Sequence, residues 1–209
     1  MLKNKFEIVR KGYAKIAKRY HDQRNKYPSN ALLKKFSRIL SKGAVLDMGC
    51  GAGVPVAEFL VDKGYGVTGI DFAKGMIDLA KKHVPNARFI RMDMTKMKFK
   101  PNSFDGCVSF YAIIHVPREK HKGVYKTLHR IIRPGGVLLI NTGGHESKGS
   151  EDYAENYLNV PMFWSYYGPK QTLKMIKDAG FDILWSKVIK LGGETPFWVL
   201  ARNKKKTKN

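Results

Sequence analysis

Val45-Leu46-Asp47-Met48-Gly49-Cys50-Gly51-Ala52-Gly53 is an apolar run that meets a carboxylate, turns through three alternating glycines and gives way to a helical pattern over Pro55-Lys63. Glycine permits positive φ and close backbone approach to a ligand, and the helix start beyond the turn offers unpaired N–H groups beside it. Turns of this type are common, so the surroundings have to decide what this one is for. The next apolar run ends in Gly69-Ile70-Asp71, eighteen residues past Gly53, where a carboxylate can accept both hydroxyls of a ribose. Asp71 also stands where it can cap a helix beginning near Ala73.

Outward from this turn, short apolar runs alternate with helical patterns. Ala44-Asp47, Tyr65-Asp71, Ala87-Met92, Asp105-Tyr111 and Gly136-Thr142 read as strands, with Pro55-Lys63, Ala73-Lys82 and Arg118-Ile132 as the helices between them. That alternation predicts an α/β fold with a doubly wound, mostly parallel sheet of seven strands and helices on both faces. The last two runs, Phe181-Leu191 and Pro196-Ala201, are joined only by Gly192-Gly193-Glu194. The link is too short for a parallel crossover, so the last strand is expected to be antiparallel.

Two amphipathic stripes precede the sheet. Val9, Tyr13, Ile16, Ala17 and Tyr20 recur at helical spacing, as do Leu32, Leu33, Phe36, Ile39 and Leu40 after a possible cap at Ser29 or Asn30. The expected organisation is one domain over residues 1–201, with N-terminal helices in 1–42 closing over the site, a cap or insertion in 143–169, and a basic disordered tail in 202–209.

The composition sets limits on function. Apolar residues make up 43% of the 209, enough for a packed core. Neither a secretory h-region nor an apolar run of roughly 20 residues is present, so the chain is expected to be cytoplasmic and not membrane-bound. Cys50 and Cys107 show no zinc or disulfide spacing and read as core residues, and nothing in the sequence calls for a metal. The formal charge is +22, and residues 1–42 supply half of it, with thirteen basic and two acidic residues. Such a chain attracts anionic partners, and RNA is one reading. Solvated lysine-rich faces are the other, favoured by the lack of an appended recognition module.

A dinucleotide fingerprint would place its third glycine at position 54, where Val54 stands. With the spacing Asp-x-Gly-x-Gly-x-Gly, the chain resembles the class I S-adenosylmethionine-dependent methyltransferase superfamily from about Tyr13 to Ala201. The resemblance implies S-adenosylmethionine as cofactor and S-adenosylhomocysteine as product. It assigns the methionine end of the cofactor to Asp47, Gly49, Gly51 and Gly53, counts Cys50 of the same turn among the cofactor-binding residues, and gives the ribose to Asp71. Ile90-Arg91-Met92-Asp93-Met94 resembles the third-strand motif, with Asp93 accepting from the adenine amino group and Met92 or Met94 against the ring. Phe72, Met76 and Phe110 complete the implied cofactor set. Tyr20, with Tyr13 behind it on the stripe, resembles an N-terminal tyrosine that covers the methionine carboxylate. Core packing remains the alternative for Tyr20, and a loop cap for Asp93.

Phe110, Tyr111 and His115 lie at or beyond the end of the fourth strand, the edge where ligands gather in such sheets. His115 and Tyr111 are the candidate catalytic residues. An imidazole titrates near neutrality and suits a general base, although a His that merely packs beside the cofactor fits the same position. The amino-methylating branches carry Asn-Pro-Pro-Tyr after strand four. This chain has Phe110-Tyr111-Ala112-Ile113 instead, which disfavours base or glutamine methylation. The Met162 to Tyr167 cluster reads either as a wall of an apolar acceptor pocket or as a core patch. Three functions follow in order: methyl transfer by in-line displacement to an O, N, S or C atom of a small molecule, methylation of RNA or protein, and non-catalytic cofactor binding. The sequence carries no signal for oligomeric state.

Overall fold

The computed structural model describes residues 5–24, 30–145, 149–190 and 193–204, without the side chains of Lys18 and of residues 20–30. Ser29 and the side chain of Asn30, the expected cap, therefore lie outside the described residues. The chain opens with α1 (Lys5–Arg24) and α2 (Asn30–Ile39). It then alternates β1 (Ala44–Met48), α3 (Val56–Asp62), β2 (Gly66–Asp71), α4 (Lys74–His83), β3 (Arg88–Arg91), β4 (Phe104–Ser109), α5 (His121–Ile131) and β5 (Ile132–Gly143). A hairpin of β6 (Ser150–Tyr157) and β7 (Val160–Tyr166) follows, then α6 (Pro169–Asp178), β8 (Phe181–Val188) and β9 (Pro196–Asn203).

The main sheet has seven strands in the order β3-β2-β1-β4-β5-β9-β8. The first five run parallel, and β9 lies antiparallel between β5 and β8. β1 and β4 are central and buried on both faces, which is why their sequences are nearly continuous apolar runs. Between β1 and β4 the order reverses, and the carboxyl ends of these strands open the crevice at which ligands collect in open α/β sheets.

Each sheet face has its own core. On one side Leu46, Met48, Leu138 and Ile140 pack against Val124, Leu128 and Ile131 of α5 and Ile176 of α6. On the other, Val45, Val67, Leu139 and Trp198 meet Leu33 and Phe36 of α2, Leu60 of α3 and Ile77 of α4. Cys107 belongs to the first core and Cys50 to the second, both as buried free thiols.

A third cluster joins Val9, Tyr13, Ile16 and Ala17 of α1 to Met162 and Phe163 of β7 and to Ala52, Ala73 and Met76 beneath them. Of the two N-terminal helices, α1 therefore roofs the carboxyl end of the sheet, together with the hairpin, while α2 joins the helical layer beside α3. The insertion expected over 143–169 is the β6–β7 hairpin, which forms a separate two-stranded sheet.

β9 reaches further than its apolar sequence indicated. Arg202 and Asn203, read as the start of a tail, continue the strand: Arg202 pairs with Val137 and Asp182, and Asn203 pairs with Phe181. The Asn203 amide donates to the carbonyls of His129 at 2.9 Å and Ile132 at 2.6 Å, which gives a polar residue a buried place. Residues 205–209 of the expected tail lie outside the described residues. Among the described residues no helix is long and apolar enough to cross a membrane.

Candidate active site

The glycine turn is fixed by main-chain bonds to the neighbouring strand. Gly49 N–H and Cys50 N–H both donate to the carbonyl of Ile70, at 2.8 and 3.0 Å. Gly49 sits at φ +77°, and a Cβ there would stand 2.2 Å from the Cβ of Ala112. The turn after β1 and the loop after β4 therefore touch at a point that admits no side chain. Gly51, at φ +52°, faces space with nothing within 4 Å of a built Cβ. Its N–H donates to Asp71 Oδ2 at 3.1 Å.

Three carboxylates border this turn. Asp47 is 1% exposed, and its Oδ2 has no hydrogen-bond partner among the described residues. Burial, and then the nearby charge of Asp71, pushes its carboxyl up to about 8. Burial also raises Asp71, to about 6, against the opposing pull of the N–H groups of Ala73 and Gly51. Asp71 does not cap α4 directly, because Ala73 holds the N-cap position and donates its N–H to Asp71 Oδ1 at 2.9 Å. Asp93 caps the short 3-10 turn Met94–Lys96, accepting the N–H and hydroxyl of Thr95, each at 2.8 Å. Burial and the two aspartates raise the Cys50 thiol well above its ordinary value, so it stays protonated.

The crevice encloses about 1200 Å³, part of it open to solvent. Asp47, Gly49, Cys50 and Gly51 form its floor, and Asp71, Phe72 and Met76 stand beside Met92, Asp93 and Met94. Phe110, Tyr111 and His115 come from the β4 end, and Phe6 and Tyr13 from α1. The structure thus gathers every sequence-expected site residue except two. Gly53 does not line the crevice; its Cα faces Phe89, Val84 and Ala80, with a built Cβ 3.2–3.3 Å from their side chains, so it is a packing glycine between the turn and α4. Tyr20 lies on α1, with its side chain outside the described residues.

Residues missed by sequence reasoning include Phe6 from α1, Val54, Pro55 and Val56 beyond the glycine turn, and Ala112 and Val116 after β4, which also line the crevice. Tyr13 carried a signal as part of the apolar stripe. Phe6, in a lysine-rich opening, carried none.

His115 ends the 3-10 turn Ile113–His115 after β4 and is buried between α1 and β7. Its Nδ1 lies 2.8 Å from the carbonyl oxygen of Phe163, and its Nε2 lies 2.8 Å from the Tyr13 hydroxyl. Tyr111 adopts φ +55°, an uncommon conformation for a residue with a side chain, and donates its N–H to Asn141 Oδ1 at 2.6 Å. The Phe110 and Tyr111 rings meet Trp198 edge-on at 4.6 and 5.8 Å, which locks the end of β4 against β9.

Residues 45–136, spanning the glycine turn, all three carboxylates and the loop after β4, match the model of a methyltransferase domain family. Over this segment the chain resembles methyltransferase domains, and its fold superposes with a TM-score of 0.70, at 20% identity, on an S-adenosylmethionine-dependent methyltransferase of Methanosarcina mazei, covering 83% of this chain and 97% of that one. It is 28% identical over 172 residues to cycloartenol-C-24-methyltransferase 1 of Oryza sativa subsp. japonica, covering 74% of this chain and 48% of that one. It is 33% identical over 160 residues to sterol 24-C-methyltransferase ERG6B of Gibberella zeae, covering 67% and 40%. The chain therefore spans less than half the length of these two curated relatives. Its fold superposes with a TM-score of 0.75, at 18% identity, on Burkholderia thailandensis 1,6-didemethyltoxoflavin-N1-methyltransferase, solved with 1,6-didemethyltoxoflavin and S-adenosylhomocysteine, covering 95% of this chain and 88% of that one.

Proposed function

We propose that this chain binds S-adenosylmethionine in the crevice and transfers its methyl group to a small-molecule acceptor, releasing S-adenosylhomocysteine. Asp47 carries the reading. A carboxylate with 1% exposure and an oxygen lacking a partner among the described residues is costly to fold around, and a bound cation of the size of an amino group would satisfy it. The donor set suits the rest of the cofactor as well. Asp71 accepts from ribose hydroxyls, Asp93 from an adenine amino group, and Met92, Met94, Phe72 and Met76 offer apolar surface for the ring and its edge. Gly49 and Gly51 keep the floor free of side chains.

When bound, S-adenosylmethionine supplies a sulfonium methyl carbon open to attack from the side opposite sulfur. The protein's part is alignment and exclusion of water. α1 and the hairpin roof the crevice, and His115 and Tyr111 face the same space from the β4 end. A roofed crevice favours a small acceptor, and the toxoflavin-type acceptor of the Burkholderia relative supports this class. Methylation of RNA is less well supported, because three of the basic side chains of α1 are engaged within the chain. Lys5 pairs with Glu151 at 2.7 Å, Arg10 with Glu7 at 2.6 Å, and Arg19 donates to the carbonyl of Leu158 at 2.9 Å. A cytoplasmic location goes with a small-molecule role and forms part of the proposal.

The test is calorimetric titration with S-adenosylmethionine and S-adenosylhomocysteine, with NAD as a control ligand. Asp47→Asn is the decisive variant, since it keeps the shape of the side chain and removes the charge. Micromolar binding by the wild type that the variant loses is the expected result. Absence of binding by the wild type overturns the proposal.

A further inference from the structure

His115 is held from two sides by elements far apart in sequence. The carbonyl of Phe163 can only accept, so the Nδ1 facing it at 2.8 Å carries the ring proton. In the neutral ring Nε2 is then the acceptor, and the Tyr13 hydroxyl donates to it at 2.8 Å. The two residues line the same crevice as Asp47 and the glycine turn, and they are 8% and 9% exposed. The result is an ordered series of carbonyl, imidazole and phenol. An orienting group fixes the tautomer of a base, and the base accepts from a hydroxyl in the ligand space, the arrangement by which a His is set up to take a proton.

Holding α1 against β7 does not by itself account for this series. Val9, Ile16, Met162 and Phe163 already join the two elements through apolar contact, and Lys5 of α1 pairs with Glu151 on the neighbouring strand β6. Placing an imidazole between them adds a desolvation cost that apolar side chains would not incur.

We propose that Tyr13 is the group that takes the proton from the methyl acceptor and that His115 is the base behind it. The acceptor class is then a small molecule whose reacting atom bears an acidic proton, a phenol-type hydroxyl or a heteroaromatic N–H. This inference rests on the methyltransferase reading above. In the step, the acceptor's proton passes to the Tyr13 oxygen as the Tyr13 proton passes to His115 Nε2, leaving an imidazolium whose Nδ1–H remains bonded to the Phe163 carbonyl. The electron pair released on the acceptor atom forms the bond to the methyl carbon, and the carbon–sulfur bond breaks with its pair going to sulfur. A carbon–carbon double bond has no proton to give before it attacks, and this series would be idle for such an acceptor.

The experiment compares wild type, Tyr13→Phe and His115→Gln. Calorimetry with S-adenosylmethionine reads the cofactor site. Nitrogen-15 spectra of the histidine-labelled protein, assigned by the loss of signals in His115→Gln, read the tautomer. Methyl transfer is read with alkyl phenols and N–H heteroaromatics, which are protonated at neutral pH, and with thiophenol, which is largely ionised there. The expected spectrum has one protonated and one bare ring nitrogen at His115, with the bare one shifted in Tyr13→Phe. The expected kinetics are a loss of about 100-fold or more in kcat on the protonated acceptors and less than about threefold on thiophenolate, which needs no base. Cofactor affinity stays near the wild-type value.

The inference is overturned if the proton lies on Nε2, if Tyr13→Phe leaves the ring signals unmoved, or if both variants lose or keep the two acceptor classes alike. If the wild type binds S-adenosylmethionine but methylates no phenol or N–H heteroaromatic in the set, the inference is overturned as well. Failure of the wild type to bind S-adenosylmethionine removes the underlying reading instead.

Discussion

The backbone N–H of Gly51 donates to Oδ2 of Asp71 across 3.1 Å, while Oδ1 of the same carboxylate takes the N–H of Ala73 at 2.9 Å. One side chain at the end of β2 thereby braces both the glycine turn and the entry to α4. The group proposed to receive the ribose is also a structural tie. Asp71→Ala is therefore expected to weaken S-adenosylmethionine binding by more than about 100-fold and to lower stability by about 2–3 kcal/mol, since two hydrogen bonds to a charged group are lost while its burial cost is relieved. Asp71→Asn retains an amide oxygen for one of the two N–H groups and should lose about half as much stability. Thermal unfolding and calorimetry on the two variants check this. Equal stability of wild type and Asp71→Ala would show that the brace is not needed.

Asp47 sets a pH dependence whose sign follows from its burial. In the unfolded chain an Asp titrates near about 4, whereas in the fold burial and the Asp71 charge raise it to about 8. Below about pH 4 both states hold the proton, and the contribution to stability is fully present. Between there and about pH 8 the unfolded chain ionises first, so stability is lost as pH rises through the window. Asp47→Asn is expected to melt close to wild type near pH 4 and above it near pH 8. A difference in melting temperature that stays flat across this range would remove the assignment. An ammonium group bound at Asp47 favours the carboxylate, so cofactor binding by the wild type should release protons between about pH 6 and 8. Calorimetry of the wild type in buffers of different ionisation enthalpy reads this release, and what remains after subtracting the ligand's own titration is the share of Asp47.

The glycine turn predicts an order among two similar substitutions. Both Gly49 and Gly51 have positive φ, so alanine strains either backbone by about 1 kcal/mol or more. Only at Gly49 does the new Cβ meet an immovable neighbour, the Cβ of Ala112 at 2.2 Å. Gly49→Ala should cost several times more stability than Gly51→Ala and should displace the loop that carries Tyr111 and His115. Gly51→Ala should fold and lose cofactor affinity. Chemical denaturation with matched cofactor titrations would establish the order, and equal losses of stability would contradict it.

How far the sequence could be read follows from what each feature depends on. The sheet and the glycine turn depend on local periodicity and on glycine, so their strands, helices and closing antiparallel strand were legible within a few residues. His115 was visible because it follows a recognisable strand. Its partner at Nδ1 was not, because the Phe163 carbonyl is main chain and has no side-chain signature, 48 residues away. β6 was hidden for another reason: its residues are exposed or half-buried throughout, so no alternation of apolar and polar positions marks it as a strand. Gly53 shared the spacing of Gly49 and Gly51 and was given their role, yet it packs on α4. Spacing records where a turn can bend, and only the fold shows which side of the turn faces the ligand.

The roof over the crevice offers a last test, at a distance from the chemistry. Gly12 of α1 packs so closely on the hairpin that a Cβ would stand 3.0 Å from both Met162 Cε and the carbonyl oxygen of Pro161. The methionine tip can move aside, whereas the Pro161 main chain is part of β7. Glycine inside a helix costs about 1 kcal/mol relative to alanine, so its presence here is explained by the close approach and not by helix stability. Gly12→Val should therefore push α1 away from β7. The cluster that holds α1 is separate from the two cores of the sheet, so global melting should move by no more than about 2 °C while the roof loosens. The expected signs are weaker S-adenosylmethionine binding and faster tryptic cleavage at Lys11 and Lys15, which are exposed on α1. Unchanged affinity together with unchanged cleavage would show that α1 does not need this contact to cover the site.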